Sequence, residues 1–294
     1  VDIQSIQAFL AVSESGSFSR AADALFLTQP AISKRIQAME QSLDTPLFDR
    51  IGKSVRLTEA GRALLPSCKR IIGEIEESRR IISNLRRTTS GVLHLATSHH
   101  VGLHRLPPVL RDYGSTYPDV ELKLAFMESE QACQQIINGD IELAIVTLPN
   151  EKDERLKMIP IWHDALCTVV SRRHVLASAN RVTVKSLLKQ PAILPSPGTY
   201  TRHLIDDALG IDESVQILLE THYLETIKAM VQAGLGWSML PLSMLDKSLV
   251  ALDIRKGRAT RQLGAVLHSM RTQSNAANAM ISLLKRYSDQ VKNA

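Results

Sequence analysis

Three histidines fall within six residues of this chain, His99, His100 and His104, and the last two are four apart, the spacing that places two imidazoles on one face of a helix. No acidic side chain or thiol adjoins them in sequence, so contact with a ligand in a polar cleft explains them better than a metal centre. Hydroxyls occur in related places. Thr97 and Ser98 follow an apolar alternating run, Ser129 opens an amphipathic stretch, Thr147 ends an apolar run, and Ser196, Thr199, Tyr200 and Thr201 precede another helical pattern. In α/β proteins, ligands bind outside the carboxyl ends of strands, beside helix N-termini, where hydroxyls and unpaired N–H groups suit a small anion such as a carboxylate. Each of these Ser and Thr residues could equally do no more than cap its helix.

Other chemistry is poorly represented. The run Gly236-Trp237-Ser238-Met239-Leu240 lacks the last glycine of a nucleophile elbow, and neither His-Glu-x-x-His nor a glycine-rich dinucleotide fingerprint occurs. Cys68, Cys133 and Cys167 are odd in number, widely spaced and form no Cys-x-x-Cys, which points to buried free thiols. No catalytic residue, no metal and no cofactor is expected.

The elements that must carry these residues alternate. Strands are expected over 92–97, 120–126, 141–146, 165–171, 192–194, 215–219, 237–240 and 263–267. Helices are expected over 103–113, 129–138, 184–188, 201–209, 223–233 and 275–291. Such alternation indicates a parallel α/β sheet.

The first ninety residues read differently. Ile3, Ile6, Phe9 and Leu10 have helical spacing and Gly16 stops that helix; residues 18–25 form a second short helix with paired alanines. Thr28 is a good N-cap for a third helix, Gln29 and Pro30 fill its first turn, and Ile32, Ile36, Met39 and Leu43 form its buried stripe. Its other face, Gln29, Ser33, Lys34 and Gln37, is short-chained and hydrogen-bonding, suited to a helix that enters the major groove of a duplex. Residues 44–57 read as a hairpin on which Arg50, Lys53 and Arg56 would line a wing over the phosphate backbone.

Together these residues resemble a known family. Ser17-Phe18-Ser19-Arg20-Ala21-Ala22, Leu25, Thr28-Gln29-Pro30-Ala31-Ile32-Ser33, Ile36, Glu40, Leu43, Pro46-Leu47-Phe48, Arg50 and Leu57-Thr58-Glu59-Ala60-Gly61 are similar to the winged helix-turn-helix of LysR-type transcriptional regulators. The resemblance implies that Thr28, Gln29, Pro30, Ser33 and Lys34 approach the major groove and Arg50 the backbone. Two positions depart from the family pattern: Asp44 stands where Gly is usual, and Met39 replaces a usual Leu. Asp tolerates a left-handed turn better than most residues, and Met conserves the core volume.

From Thr58 a long helix is expected to about Leu85. Leu64, Cys68, Ile71, Ile75, Ser78, Ile82 and Leu85 alternate at four and three residues, the period of a coiled-coil seam, for which a second copy of the chain is the simplest partner. Packing on the chain's own core is the competing reading, and Pro66 should kink the helix near its start. The family likewise implies a dimerising helix here. Beyond it, Gly139-Asp140-Ile141-Glu142-Leu143-Ala144-Ile145 and the stretch 231–241 match the family's effector domain, implying two α/β lobes, crossed twice by the chain and resembling periplasmic binding proteins.

The expected architecture is therefore multidomain: an all-α winged helix-turn-helix domain over 1–57, a linker and dimerisation helix over 58–90, and a two-lobed α/β effector domain over 91–294. The first lobe spans 91–163 and 268–294, and the second 164–267. The net charge of +5 is uneven: the first 90 residues carry 13 Lys and Arg against 10 Asp and Glu, about three times more positive per residue than the rest. Aromatic residues are only 4% of the chain, too few for the stacking by which many proteins grip single strands, so a DNA duplex is the expected nucleic-acid partner. No apolar run spans a membrane and no secretory pattern opens the sequence, which predicts a cytoplasmic protein. The expected function is a dimeric or tetrameric regulator binding double-stranded DNA under the control of a small, anionic effector. A solute-binding protein would account for the α/β part alone, and a nucleic-acid enzyme for the basicity alone.

Overall fold

The computed structural model describes residues 1–51, 54–84, 88–179, 181–211, 215–254 and 258–288. The chain divides into two compact units, one holding residues 1–86 and the other most of 87–294.

In the first unit, α1 (Ile3–Ser15) is capped by Asp2, whose carboxylate accepts from the Ser5 amide at 2.8 Å, and ends on left-handed Gly16. Ser17 caps α2 (Phe18–Ala24), whose buried Ala21 and Ala22 let the helices approach closely. Thr28 caps α3 (Gln29–Ser42), with Pro30 in the first turn, where a missing N–H costs nothing. Ile32, Ile36 and Met39 are buried as expected, but Leu43 is 39% exposed. The helix has ended by then: Leu43 is its C-cap, Asp44 turns left-handed at φ 48°, and Leu47 fills the core position instead.

The chain then forms a hairpin of β1 (Phe48–Ile51) and β2 (Ser54–Leu57), paired from Phe48 opposite Leu57 to Ile51 opposite Ser54. The Phe48 ring packs on Phe9 and Phe18, with centroids 5.4 and 6.0 Å away. The long helix α4 (Glu59–Asn84) begins at Thr58, whose hydroxyl accepts from the Gly61 amide and donates to the Pro46 carbonyl. It runs on through Pro66. Leu64, Cys68 and Ile72 pack into the core of this unit, whereas Ile71, Ile81 and Ile82 stand exposed and Ile75 is half-buried. Leu85 lies outside the described residues.

The second unit opens with β3 (Gly91–Thr97), α5 (His99–His104) and α6 (Leu106–Thr116), the last two dividing at Arg105 where one helix was expected. Next come β4 (Val120–Phe126), α7 (Ser129–Asn138) and β5 (Leu143–Thr147). The long strand β6 (Leu156–Ser171) leads into α8 (Val184–Leu187), β7 (Ala192–Leu194), α9 (Tyr200–Leu209), β8 (Ile217–Glu220) and α10 (Leu224–Gln232). Strands β9 (Ser238–Pro241), β10 (Leu249–Ala251) and β11 (Arg258–His268) precede α11 (Asn275–Arg286).

The sheet is mixed rather than parallel. Strand β3 pairs parallel with β4 and β5, and β7 with β8, but β11 runs antiparallel to both β5 and β6, and β9 and β10 run antiparallel to β6. The difference has a topological cause. Strands β6 and β11 are the two crossings between lobes, traversed in opposite directions, and both are longer than their expected apolar cores because each continues from one lobe into the other within a single seven-stranded sheet of order β10-β6-β11-β5-β3-β4, with β9 also paired to β6. At the irregularity between Leu263 and Gly264, a Cβ on Gly264 would lie 2.2 Å from the Ile159 carbonyl oxygen, so only glycine lets the crossings approach. Each lobe keeps its own core: Leu95, Val109, Ile145 and Met280 are in the first, and Leu194, Ile205, Trp237 and Met239 in the second. The three cysteines are buried and free, and burial pushes the Cys133 thiol up to about 11, which keeps it protonated at neutral pH. Among the described residues, no helix is long and apolar enough to cross a membrane.

In the first unit a Cβ on Gly61 would stand 2.3 Å from the Leu47 carbonyl oxygen. Gly61→Ala is therefore expected to lower unfolding free energy by about 1–3 kcal/mol in urea titration of the full chain, followed by the fluorescence of a reporter placed in this unit.

Candidate functional site

Two places collect functional side chains. The first is the outer face of α3. Its start is prepared locally: the hydrogen bond from the Ala31 amide to Thr28 Oγ1 fixes the first turn, and Gln29 Nε2 donates to Ser33 Oγ at 3.0 Å, holding two hydrogen-bonding side chains one helical turn apart. Thr28, Gln29, Pro30, Lys34 and Gln37 are exposed and Ser33 half-exposed, while the apolar stripe anchors the opposite face. The hairpin is tied to the same helix by Glu40, whose Oε1 accepts from the amides of Leu47 at 2.7 Å and Phe48 at 3.2 Å. Arg56 on β2 is exposed, Arg50 lies on β1 opposite Val55, and Lys53 falls outside the described residues. One feature was not legible in the sequence: Phe26, between α2 and α3, is left-handed at φ 54° and 95% exposed beside this face. A bulky residue with positive φ contradicts local preference, and no pattern in the sequence announces it.

The second place lies between the lobes of the second unit. Ser98, His99, His100, Ser129 and Thr147 from the first lobe meet Thr199 and Thr201 from the second around a cavity of about 40 Å³, also lined by Glu128, Glu130, His222 and Arg261. Thr97, Ser196 and Tyr200 stand outside its wall. The Thr97 hydroxyl donates to the Ile145 carbonyl at 2.8 Å and holds strands together, Ser196 accepts from Thr199 through its carbonyl, and the Tyr200 ring packs on the core that contains Cys133. At this size the cleft between the touching lobes holds a few water molecules. Glu130 accepts from the Tyr200 amide, taking the N-terminus of α9, and Glu128 lies 3.6 Å from the His222 ring. Burial raises the Glu128 carboxyl above its ordinary range.

At the base is a buried charge network. Asp164 on β6 and Arg261 on β11 are direct cross-strand partners, with Arg261 Nε 2.8 Å and Nη2 2.7 Å from Asp164 Oδ2. Arg261 Nη1 donates to Thr201 Oγ1 at 2.9 Å, and Arg105, stacked over the Trp162 ring, approaches Asp164 Oδ1 at 3.6 Å. At the cleft edge Glu225 from α10 reaches the histidines of α5, 2.9 Å from His104 Nε2 and 3.3 Å from His99 Nδ1. Burial would raise the Glu225 carboxyl, but contacts with His100, its own backbone, His104 and His99 hold it well below the usual range. Burial lowers the His100 imidazole pKa, with Glu225 opposing. Glu225, Asp164 and Arg261 were missed in the sequence because they lie 60 or more residues from the histidines, on elements whose patterns are those of ordinary strands and helices.

Removing one partner of a buried ion pair strands the other charge. Asp164→Leu and Arg261→Met are each expected to cost about 3–5 kcal/mol in chemical denaturation of the full chain. The double replacement Asp164→Leu with Arg261→Met recovers most of that loss; simple addition of the two single losses would show that the charges do not act as a pair.

Residues 3–62 match the family model described as bacterial regulatory helix-turn-helix protein, lysR family, and residues 86–289 match the LysR substrate binding domain. A probable RuBisCO transcriptional regulator of Synechocystis sp. is 32% identical over 282 residues, covering 92% of this chain and 82% of that protein. An HTH-type transcriptional regulator of Azotobacter vinelandii is 61% identical over 108 residues, covering 37% of this chain and 75% of that protein. A full-length OxyR variant from Pseudomonas aeruginosa aligns with a TM-score of 0.72 at 17% identity, covering 98% of this chain and 96% of that one. Full-length CbnR in complex with its target DNA aligns with a TM-score of 0.66 at 20% identity, covering 98% and 100% respectively. The two structural likenesses establish the shared architecture, a helix-turn-helix followed by a two-lobed domain, and the family models match nearly all of it. This chain belongs to the LysR family of bacterial transcriptional regulators.

Proposed function

We propose that this regulator reads double-stranded DNA through residues 1–57 in the cytoplasm, as a dimer or tetramer assembled through α4, and that a small effector with an anionic group, bound between the lobes, sets how it does so. The observation that carries the DNA reading is the exposed, preorganised polar end of α3 over a fixed apolar stripe. Gln29, held by Ser33, offers an amide that can read an adenine edge in the major groove, while Thr28, Pro30 and Lys34 border the same turn. Arg50 and Arg56 lie on the hairpin strands, where cations would neutralise phosphates without reading sequence, and Lys53, between them in sequence, carries the same charge.

For the assembly, the exposed Ile71, Ile81 and Ile82 and the half-buried Ile75 leave an apolar stripe along α4 that a second copy would cover. Leu64 and Cys68 serve the core of their own unit, so the seam in this reading runs from Ile71 through Ile75 and Ser78 to Ile82.

For the effector, the convergence of Ser98, His99, His100, Ser129, Thr147, Thr199 and Thr201 from both lobes is the support. An anionic group at the N-terminus of α9 would take the Tyr200 amide from Glu130, which now accepts from it, and so exchange a lobe-to-lobe contact for a ligand contact. The ligand then favours whichever lobe arrangement it binds better, and that preference is passed to the DNA-bound assembly as a population shift.

Substitution separates the roles on the α3 face. In titrations against the chain's own operator and against random DNA, Gln29→Ala is expected to lose about 1–3 kcal/mol on the operator alone. Arg56→Ala is expected to weaken binding to both DNAs and to flatten the salt dependence by about one phosphate contact. Equal losses on both DNAs for both variants would overturn this assignment.

A further inference from the structure

We propose that His100, His104 and Glu225 form a binding site for a divalent first-row transition metal ion, best matched by Zn²⁺, that links the two lobes. The three ligand atoms all lie within 4.8 Å of one another: His104 Nε2 is 2.9 Å and His100 Nδ1 3.6 Å from Glu225 Oε1. Ligands bonded at about 2.0–2.1 Å in a tetrahedron stand about 3.3 Å apart, so these separations bracket what a single ion requires. An i, i+4 histidine pair on one helix with a carboxylate from another element is a recurrent Zn²⁺ arrangement, and its nitrogen content disfavours the all-oxygen cations Mg²⁺ and Ca²⁺.

A second observation points the same way. The His100 side chain is only 5% exposed, yet neither of its ring nitrogens has a hydrogen-bond partner. Buried polar atoms are ordinarily satisfied, whereas Nδ1 stands 3.6 Å from Glu225 Oε1 and Nε2 3.9 Å from Asp164 Oδ2, both too long for a hydrogen bond, so a bridging ligand on Nδ1 would complete the site. An ion on Nδ1 would supply it, and would leave Nε2–H facing Asp164 Oδ2 at 3.9 Å, the carboxylate–histidine–metal order found around bound zinc. Glu225 is oriented in turn through its other oxygen, 3.3 Å from His99 Nδ1. The imidazoles come from α5 in one lobe and the carboxylate from α10 in the other, so the ion would act as a removable clasp on the closed cleft. Three protein ligands leave a fourth position for water or for another donor.

The test uses tag-free, full-length protein stripped with a chelator and titrated with Zn²⁺ and with Co²⁺. The expected result is one equivalent retained per chain after gel filtration, a visible Co²⁺ spectrum of four- or five-coordinate intensity, no competition by Mg²⁺, and a rise in melting temperature on adding Zn²⁺. Glu225→Gln and His104→Ala should each weaken Zn²⁺ binding by at least about tenfold and abolish the melting shift, since outer partners alone are worth that much. His203→Ala, on the exposed side of α9, should bind as the wild type does. His104 is half-exposed, so its variant remains informative if Glu225→Gln folds poorly, and far-UV circular dichroism of the metal-free proteins distinguishes lost binding from lost fold. Zn²⁺ held equally by wild type, Glu225→Gln and His104→Ala, or no retained ion in the wild type, would overturn the proposal.

Discussion

Asp164 and Arg261 face each other across the two strands that carry the chain from one lobe to the other, and both are almost wholly buried. Arg261 donates from Nη1 to Thr201 at the start of α9 and from Nε to Asp164 Oδ2, with Nη2 in ion-pair contact with the same oxygen, and Asp164 is also approached by Arg105 and His100. A charge pair so placed is a poor source of net stability, because desolvation consumes much of its Coulombic attraction. Its value is geometric. The planar guanidinium fork accepts few arrangements, so the pair fixes the register of the crossing strands at the level of the cleft and orients the residues that line its floor. The glycine at position 264, three residues further along β11, permits the close backbone approach on which that register depends.

The walls of the cleft follow from this floor. With the crossings fixed, α5 and α7 of one lobe are brought to α9 and α10 of the other, and oppositely charged or hydrogen-bonding pairs meet: Glu128 with His222, Glu130 with the Tyr200 amide, the histidines with Glu225. None of these contacts is apolar, and each leaves groups that a polar ligand can satisfy as well. Beside them the Tyr200 ring of the second lobe packs on the first lobe's Cys133 core, so the closure is polar at the cleft wall and partly apolar at the start of α9. The first unit is built on the opposite principle. Side-chain caps at Asp2, Ser17 and Thr28, the aromatic contacts of Phe48 and the Glu40 hydrogen bonds all lock α3 and the hairpin as a rigid reader.

The first unit was legible in the sequence because its signals are local. Gly16, Thr28, Pro30 and the Ile32–Ile36–Met39 stripe act within one or two helical turns, and the structure places them as their chemistry requires. The stripe failed at Leu43 because the helix ends there, and helix ends are set by tertiary closure, here the turn at Asp44 and the burial of Leu47. In the second unit the hydroxyls and histidines that follow strands could be found, since α/β topology puts them at one sheet edge. Their partners could not. Glu225 meets His104 across 121 residues of sequence, and Asp164 meets Arg261 across 97, distances over which no periodicity reports contact. The parallel sheet expected from strand–helix alternation is found in β3, β4 and β5 and in β7 and β8, but β6 and β11 pair antiparallel because the chain crosses between lobes twice, a property of the whole path.

The central claim is that the state of the cleft is coupled to the way the regulator engages DNA. Ser98 offers a direct handle: it lines the cavity, and its side chain makes no cap hydrogen bond to α5, so Ser98→Trp introduces an indole several times larger than the space without removing a structural contact. DNase footprints and bend angles on the chain's own operator, compared between the wild type and Ser98→Trp, measure the coupling without knowledge of the effector. The account predicts an altered footprint or bend with the recognised sequence unchanged. A footprint and bend angle identical to those of the wild type, in a variant shown to be folded and wedged open, would contradict it.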